Sequence, residues 1–226
     1  MPGAQNRHGE REVNRTFRNQ VRRAWRHAEE LFVRPKPYMS SREIQLIVDM
    51  LEPSHVMLEW GCGGSTLRFS TEVRRYYSIE HDREWFEKIN RHVRRSRRNN
   101  IQLFHVPPNL PLSGMPNYAR SAAERYEQFR DYIEQVNRLG VEHFDRVLID
   151  GRSRPECALQ VLPYLTRDSR VFIHDFFTTK YDPAEYRALL ANHYEMVDSI
   201  EEGQSLAVLQ PTSGDRATLG RVESTA

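Results

Sequence analysis

Apolar and polar positions in this chain follow two periods, and the switches between them mark its elements. From about Glu12 to Phe32, Val13, Phe17, Val21, Ala24, Trp25, Ala28, Leu31 and Phe32 recur at helical spacing. Arg15, Arg18, Arg22, Arg23 and Arg26 take the other side, so the pattern predicts an amphipathic helix. Arg34-Pro35-Lys36-Pro37 ends it, because neither proline can continue a helix. Ser40 and Glu43 have the spacing of a capping box and open a helix to about Leu51, which Pro53 stops.

Beyond Pro53 short apolar runs alternate with helical patterns. Strands are expected at 56–58, 76–80, 101–105, 144–149 and 170–173. The helices between them are expected at about 65–74, 83–97, 119–139 and 155–165. Such alternation predicts a mostly parallel sheet with right-handed crossovers. After a helix at about 183–191, Tyr194–Ile200 and Ser205–Leu209 are joined at Glu202-Gly203, a turn short enough for an antiparallel pair. The organisation expected is a disordered start with a basic helix over 1–37, an α/β domain over 38–210 and a disordered tail over 211–226.

Composition narrows the setting. The mean hydropathy is −0.73, and no apolar run approaches the roughly 20 residues needed to span a bilayer. The N-terminus has no apolar signal core, and Glu10, Glu12, Glu29 and Glu30 argue against an organelle transit peptide. Cys62 and Cys157 are too few for a disulfide framework or a zinc knuckle. A reducing, cytoplasmic location is the expectation. The net charge of +2 conceals two strongly basic stretches, 7–36 and 91–98. On helices such stretches are usually a solvated face, with phosphate binding as the alternative. The first helix is expected to pack on the main domain or on a second subunit, as in a homodimer. A membrane-surface or nucleic-acid arm is the other reading.

Candidate chemistry begins at 55–66, His-Val-Met-Leu-Glu-Trp-Gly-Cys-Gly-Gly-Ser-Thr. A strand ends in Glu59, three glycines follow (Gly61, Gly63, Gly64), and a helix starts at Ser65 or Thr66. This arrangement lets a ligand approach the backbone at the carboxyl end of a parallel strand. The next strand ends in Glu80, at the spacing where a carboxylate can take a ribose diol. A nicotinamide site is disfavoured because the third glycine of its motif would fall at Thr66. Residues 106–118 carry Pro107, Pro108, Pro111, Gly114 and Pro116, a loop long enough to act as a lid. Two further strands end at Asp150-Gly151-Arg152 and His174-Asp175-Phe176-Phe177.

Taken in order, Glu59-Trp60-Gly61-Cys62-Gly63-Gly64-Ser65-Thr66, Ser78-Ile79-Glu80-His81-Asp82, Leu148-Ile149-Asp150-Gly151-Arg152 and Ile173-His174-Asp175 resemble the class I S-adenosylmethionine-dependent methyltransferases over roughly residues 40–210. Within them the chain looks closest to O-methyltransferases of small molecules and sugars, including the plant glucuronoxylan and, more loosely, the catechol-type enzymes. The resemblance implies a Rossmann-like, doubly wound, seven-stranded α/β sheet ending in an antiparallel hairpin. It also implies that Gly61, Gly63, Gly64 and Ser65 line the methionine portion of the cofactor and that Glu59 contacts its amino group. Glu80 would take the ribose hydroxyls, His81 and Asp82 would lie near the adenosine, and His105 near the adenine edge.

Asp150, His174 and Asp175 are the expected catalytic residues. Either His174 is a general base, or Asp150 and Asp175 hold a divalent metal that acidifies the acceptor hydroxyl. The catechol-type enzymes place an Asn after their second Asp; here Phe176 stands there. A core role for His174 and a capping role for Asp175 are the alternatives. Arg152, Arg154, Lys180 and Tyr181 are candidate contacts for an anionic acceptor. A small-molecule or sugar acceptor is favoured over nucleic acid or protein, and a non-catalytic cofactor-binding module is the remaining reading.

Overall fold

The computed structural model describes residues 35–111, 120–178, 181–203 and 205–212. The expected helix at 12–32, the tip of the 106–118 loop, Lys180 and most of the tail lie outside them.

Helix α1 (Ser41–Asp49) opens on the capping box its sequence announces. Glu43 N donates to Ser40 Oγ at 3.2 Å, and Ser40 N donates to the Glu43 carboxylate at 2.7 Å. The alternation then runs β1 (Val56–Trp60), α2 (Gly64–Phe69), β2 (Arg75–Glu80), α3 (Arg83–Arg95), β3 (Ile101–His105) and α4 (Ala122–Glu134). It continues through β4 (Arg146–Ile149), α5 (Arg154–Gln160), β5 (Arg170–His174), α6 (Pro183–Asn192), β6 (Tyr194–Ile200) and β7 (Leu206–Pro211). The seven strands form one sheet in the order β3-β2-β1-β4-β5-β7-β6. β1 to β5 pair in parallel, and β7 lies antiparallel between β5 and β6. The strand order reverses between β1 and β4, which is where ligands bind in open sheets of this kind.

Side-chain alternation divides the strands between two covered faces. Val56, Leu58, Trp60, Tyr77, Ile79, Val147, Ile149, Val171 and Ile173 pack against α4, α5 and α6. Met57, Tyr76, Leu148 and Phe172 face the other way, against Ile47 of α1 and Phe69 of α2. Glu59, Ser78, Glu80 and His174 share the register of this second set, and all four are buried. α2 carries hydroxyls that bind Glu59, and α1 carries Glu43 beside His174.

Several boundaries differ from the sequence expectation. α2 stops at Phe69 instead of running to 74, because Asn100 Nδ2 binds the Ser70 and Val73 carbonyls at 2.8 and 3.0 Å. α4 is interrupted at Phe129 (φ −125°, ψ 23°) and tightens into a 3-10 turn over Gln135–Arg138. α5 ends at Gln160, and Pro163 sits in a separate 3-10 turn over Leu162–Tyr164, where its missing N–H is tolerated. β7 extends to Pro211, and Thr212 N donates to the His193 carbonyl at 3.0 Å, so 211 and 212 belong to the sheet edge and not to a tail. In α3, helical spacing places Trp85, Phe86, Ile89 and Val93 on the inward side, yet Trp85 is 40 % exposed while Ile89 and Val93 are buried.

Candidate active site

The carboxyl ends of β1 and β4 meet at two glycines. Gly61 has φ +97° and its N–H donates to the Ile79 carbonyl at 2.9 Å. A Cβ there would stand 2.8 Å from the Gly151 backbone, so both the left-handed conformation and the close approach demand glycine. A Cβ on Gly151 would in turn strike the Tyr132 hydroxyl. Gly64 has its bare face against the Lys36 carbonyl, and thus serves packing of the 36–37 segment. Gly63 is extended, and its N–H donates to Thr66 Oγ1 at 2.9 Å. Trp85 Nε1 donates to the Cys62 carbonyl, which brings a partly exposed indole onto the loop, with Lys88 Nζ 4.7 Å from its ring centre.

Glu59 lies beneath this loop, fully buried. Ser65 Oγ donates to one carboxylate oxygen; Thr66 Oγ1 and Ser78 Oγ donate to the other at 2.5 and 2.7 Å. Burial pushes the carboxyl up to about 7, against the opposing pull of these three hydroxyls. Glu59 and Ser65 therefore bind each other and tie β1 and β2 to the start of α2. Neither Cys62 nor Cys157 is a nucleophile in waiting, since burial raises both thiols far from the thiolate range.

At the tip of β2, Glu80 is buried and uses one oxygen, Oε1, to accept from the backbone of His81 and Asp82, each at 2.8 Å. His81 Nδ1 lies 2.8 Å from the same oxygen. The His81 ring packs edge-on to Phe129 and Tyr132, with ring centres 5.4 and 5.7 Å away. Asp82 caps α3 by accepting from Trp85 N at 2.8 Å. His105 pairs in register with Glu80 on the neighbouring strand and lies against Phe86. Its Nε2 is buried without a hydrogen-bond partner among the described residues. A buried nitrogen left unpaired in this way can take a hydrogen bond from water or from a ligand.

Across the strand reversal, Asp150 and His174 form the second half of the site. His174 Nδ1 and Asp150 Oδ1 are 2.9 Å apart, and Asp175 Oδ2 lies 3.9 Å from the same nitrogen. Asp150 has the most accessible side chain of the three at 23 %, against 3 % for His174 and 11 % for Asp175. Asp175 adopts φ +53°, held by donation of its N–H to the Ser205 carbonyl at 2.8 Å.

Arg154, the first residue of α5, reaches back over both strand tips and is buried. Its Nη2 lies 3.3 Å from Asp150 Oδ1 and 3.0 Å from Asp175 Oδ2. Nε donates to the Gly151 carbonyl at 3.2 Å, and Nη1 donates to the His174 carbonyl. Burial opposes its charge, but Asp150 above all, with Asp175, raises its pKa overall. Of the expected acceptor contacts, then, Arg154 is turned inward onto its own carboxylates. Tyr181 is buried in the core against Tyr186, and among the described members of this set only Arg152 is exposed.

Asp150, His174 and Asp175 present ligand atoms within 4.8 Å of one another, as a metal site would require. Arg154 decides against the fit. Its Nη2 already lies 3.3 Å from Asp150 Oδ1 and 3.0 Å from Asp175 Oδ2, so an ion would have to share both carboxylates with a buried guanidinium whose charge repels it. Phe176, at the position of the catechol-type Asn, packs on Tyr186 with ring centres 4.2 Å apart. With Arg154 in place the residues do not fit a divalent ion, and no chemistry below is routed through one.

Two partners escaped the sequence reading. The spacing of Ser40 and Glu43 marks Glu43 only as a cap, yet it is buried beside His174. Arg125 holds Glu156 (2.6 Å) and Glu185 (2.6 Å), joining α4, α5 and α6 behind the site. Its position on the apolar stripe side of a helix is the one sequence signal that marked it.

No family model and no curated protein sequence matches the chain. Solved structures do. A methyltransferase-like protein from Silicibacter pomeroyi is 23 % identical, with TM-score 0.57 over 79 % of this chain and 89 % of its own. A Streptococcus mutans protein assigned as a methyltransferase and solved with S-adenosylhomocysteine is 13 % identical, with TM-score 0.53 over 77 % of this chain and 100 % of its own. A Staphylococcus aureus protein assigned as a caffeoyl-CoA O-methyltransferase is 12 % identical, with TM-score 0.56 over 90 % and 99 %. The fold is that of the class I methyltransferases.

Proposed function

We propose that this chain is an S-adenosylmethionine-dependent methyltransferase that methylates a hydroxyl of a small molecule or sugar. The observation that carries the reading is the placing of Glu80 and Asp150 at strand tips on either side of the β1 glycine turn. Glu80 would hold the ribose through the oxygen its backbone contacts do not use, and His105 Nε2 would meet the adenine edge. Gly61 and Gly63 give the methionine portion access to the backbone. Glu59, Ser65 and Gly64 shape that loop from beneath. Once bound, the cofactor supplies an electrophilic methyl on a sulfonium.

Asp150 is the accessible member of its cluster and is the group assigned to take the acceptor proton. With a methyl donor bound, Asp150 would accept the proton that the acceptor hydroxyl gives up as its oxygen takes the methyl group. His174, Arg154 and Asp175 hold that carboxylate in one orientation. Arg152 is the exposed candidate for an anionic acceptor among the described residues, and Lys180 stands outside them.

The site supports a small acceptor over a nucleic acid. Arg91, Arg94, Arg95 and Arg97 are exposed at the carboxyl end of α3. Because α3 runs back along the sheet, that end lies by the amino ends of the strands, opposite the proposed mouth. No helix among the described residues is long and apolar enough to cross a membrane.

Isothermal titration of the folded chain with S-adenosylhomocysteine tests the cofactor assignment. Micromolar binding is expected; a folded sample with no heat at high micromolar ligand overturns it. RNA binding with a steep salt dependence would instead favour a nucleic-acid acceptor.

A further inference from the structure

We infer that Arg154 is the resident cation of the Asp150–Asp175 pair, a positioning residue occupying the charge position a divalent ion would otherwise take. Nη2 is shared between the two carboxylates, at 3.3 and 3.0 Å. These are two of the three groups whose ligand atoms lie within 4.8 Å of one another. An ion bound there would have to divide the same oxygens with a guanidinium already on them.

Arg154 cannot readily swing aside. Nε and Nη1 donate to the carbonyls of Gly151 and His174, and the side chain is buried, so leaving would break both of these bonds as well. The backbone is fixed as well: Ser153 caps α5 in a left-handed conformation (φ 52°), and Pro155 follows at the first turn. Lysine would supply the charge, and arginine supplies the geometry as well. Its planar fork spans two carboxylates and two carbonyls at once, and it does not give up its proton to make way for a metal.

The inference concerns the mouth assigned above to the acceptor, but its test needs neither cofactor nor acceptor. Its failure is therefore distinct from a failure of the S-adenosylhomocysteine titration. Electron paramagnetic resonance of free Mn2+ is followed as the full chain is added. Wild type is expected to show no saturable binding up to about 1 mM Mn2+. R154Q removes the charge and keeps much of the volume; it should gain a site at least about tenfold tighter than any in wild type. Adding D175N to R154Q should abolish that site, and R154K, which keeps a cation, should behave as wild type. Circular dichroism certifies each variant as folded. Saturable binding by wild type that D150N or D175N removes overturns the inference, and this comparison stands even if R154Q does not fold. A folded R154Q with no gain, or R154K binding as tightly as R154Q, overturns it too.

Discussion

Glu43 Oε1 stands 3.5 Å from His174 Nε2, and neither atom has a hydrogen-bond partner among the described residues. The other imidazole nitrogen faces Asp150 at 2.9 Å. A neutral imidazole has one N–H and can serve only one of these two carboxylates. The helix cap at the start of α1 thus reaches through the sheet face to bias the orientation of a residue at the mouth.

Replacing Glu43 tests that contact. Glu43→Gln retains the bond to Ser40 N and can donate its amide to Nε2, so urea unfolding should place it within about 0.5 kcal/mol of wild type. Glu43→Ala loses the capping box and leaves Nε2 facing an apolar gap. A loss of about 2 kcal/mol is expected. An alanine variant as stable as wild type would show the contact to be idle.

Glu59 makes a pH prediction. Burial holds its carboxyl at about 7 in the folded chain, against 4.5 for an unperturbed glutamate. Between those values the folded chain keeps a proton that the unfolded chain has lost. Stability should therefore fall as pH rises through the window and level off above it, by up to about 3 kcal/mol. Glu59→Gln cannot titrate, so subtracting its unfolding curves from those of wild type should isolate this slope. Parallel curves from pH 4.5 to 7 would refute the assignment.

Gly151 and Tyr132 should behave as one unit. Gly151→Ala drives a methyl into the Tyr132 hydroxyl, and the strain should cost about 2 kcal/mol. Tyr132→Phe removes the atom that is struck. The double variant should recover more than half of the loss, giving a coupling of at least about 1 kcal/mol in a double-mutant cycle. Strict additivity would place the clash elsewhere, on the Gly61 side.

Cofactor affinity should depend on the charge of Glu80. Glu80→Gln keeps the shape but weakens charge-assisted bonds to a diol, and about tenfold weaker S-adenosylhomocysteine binding is expected. Glu80→Ala should lose roughly a hundredfold while its melting temperature stays near that of Glu80→Gln. Unchanged affinity in both variants removes Glu80 from the site.

Strand tips were legible in the sequence because each combines a short apolar run with an abrupt polar residue: Glu59, Glu80, Asp150 and His174 all end up at the carboxyl edge of one sheet. Neighbour choice was not legible. Nothing in the spacing of Arg154 distinguishes an arginine facing solvent from one folded back on Asp150 and Asp175; that depends on the angle at which α5 leaves β4. Trp85 shows the same limit, since helical periodicity assigns a face but not whether a loop lies above it. The resemblance makes Glu59 a cofactor contact, and what the spacing does not reveal is that its carboxylate also takes Ser65, Thr66 and Ser78 beneath the loop. The helix at 12–32 stands outside the described residues.

Insertion of β7 between β5 and β6 ties the mouth to the order of synthesis. Asp175 takes its left-handed turn against the Ser205 carbonyl, and His174 pairs with Leu206. A ribosome-bound chain that has exposed everything through β5 still lacks the strand that fixes this corner. Half of the pocket can be built early, around the glycine turn, but its acidic wall must wait until residues up to about 211 have emerged from the exit tunnel.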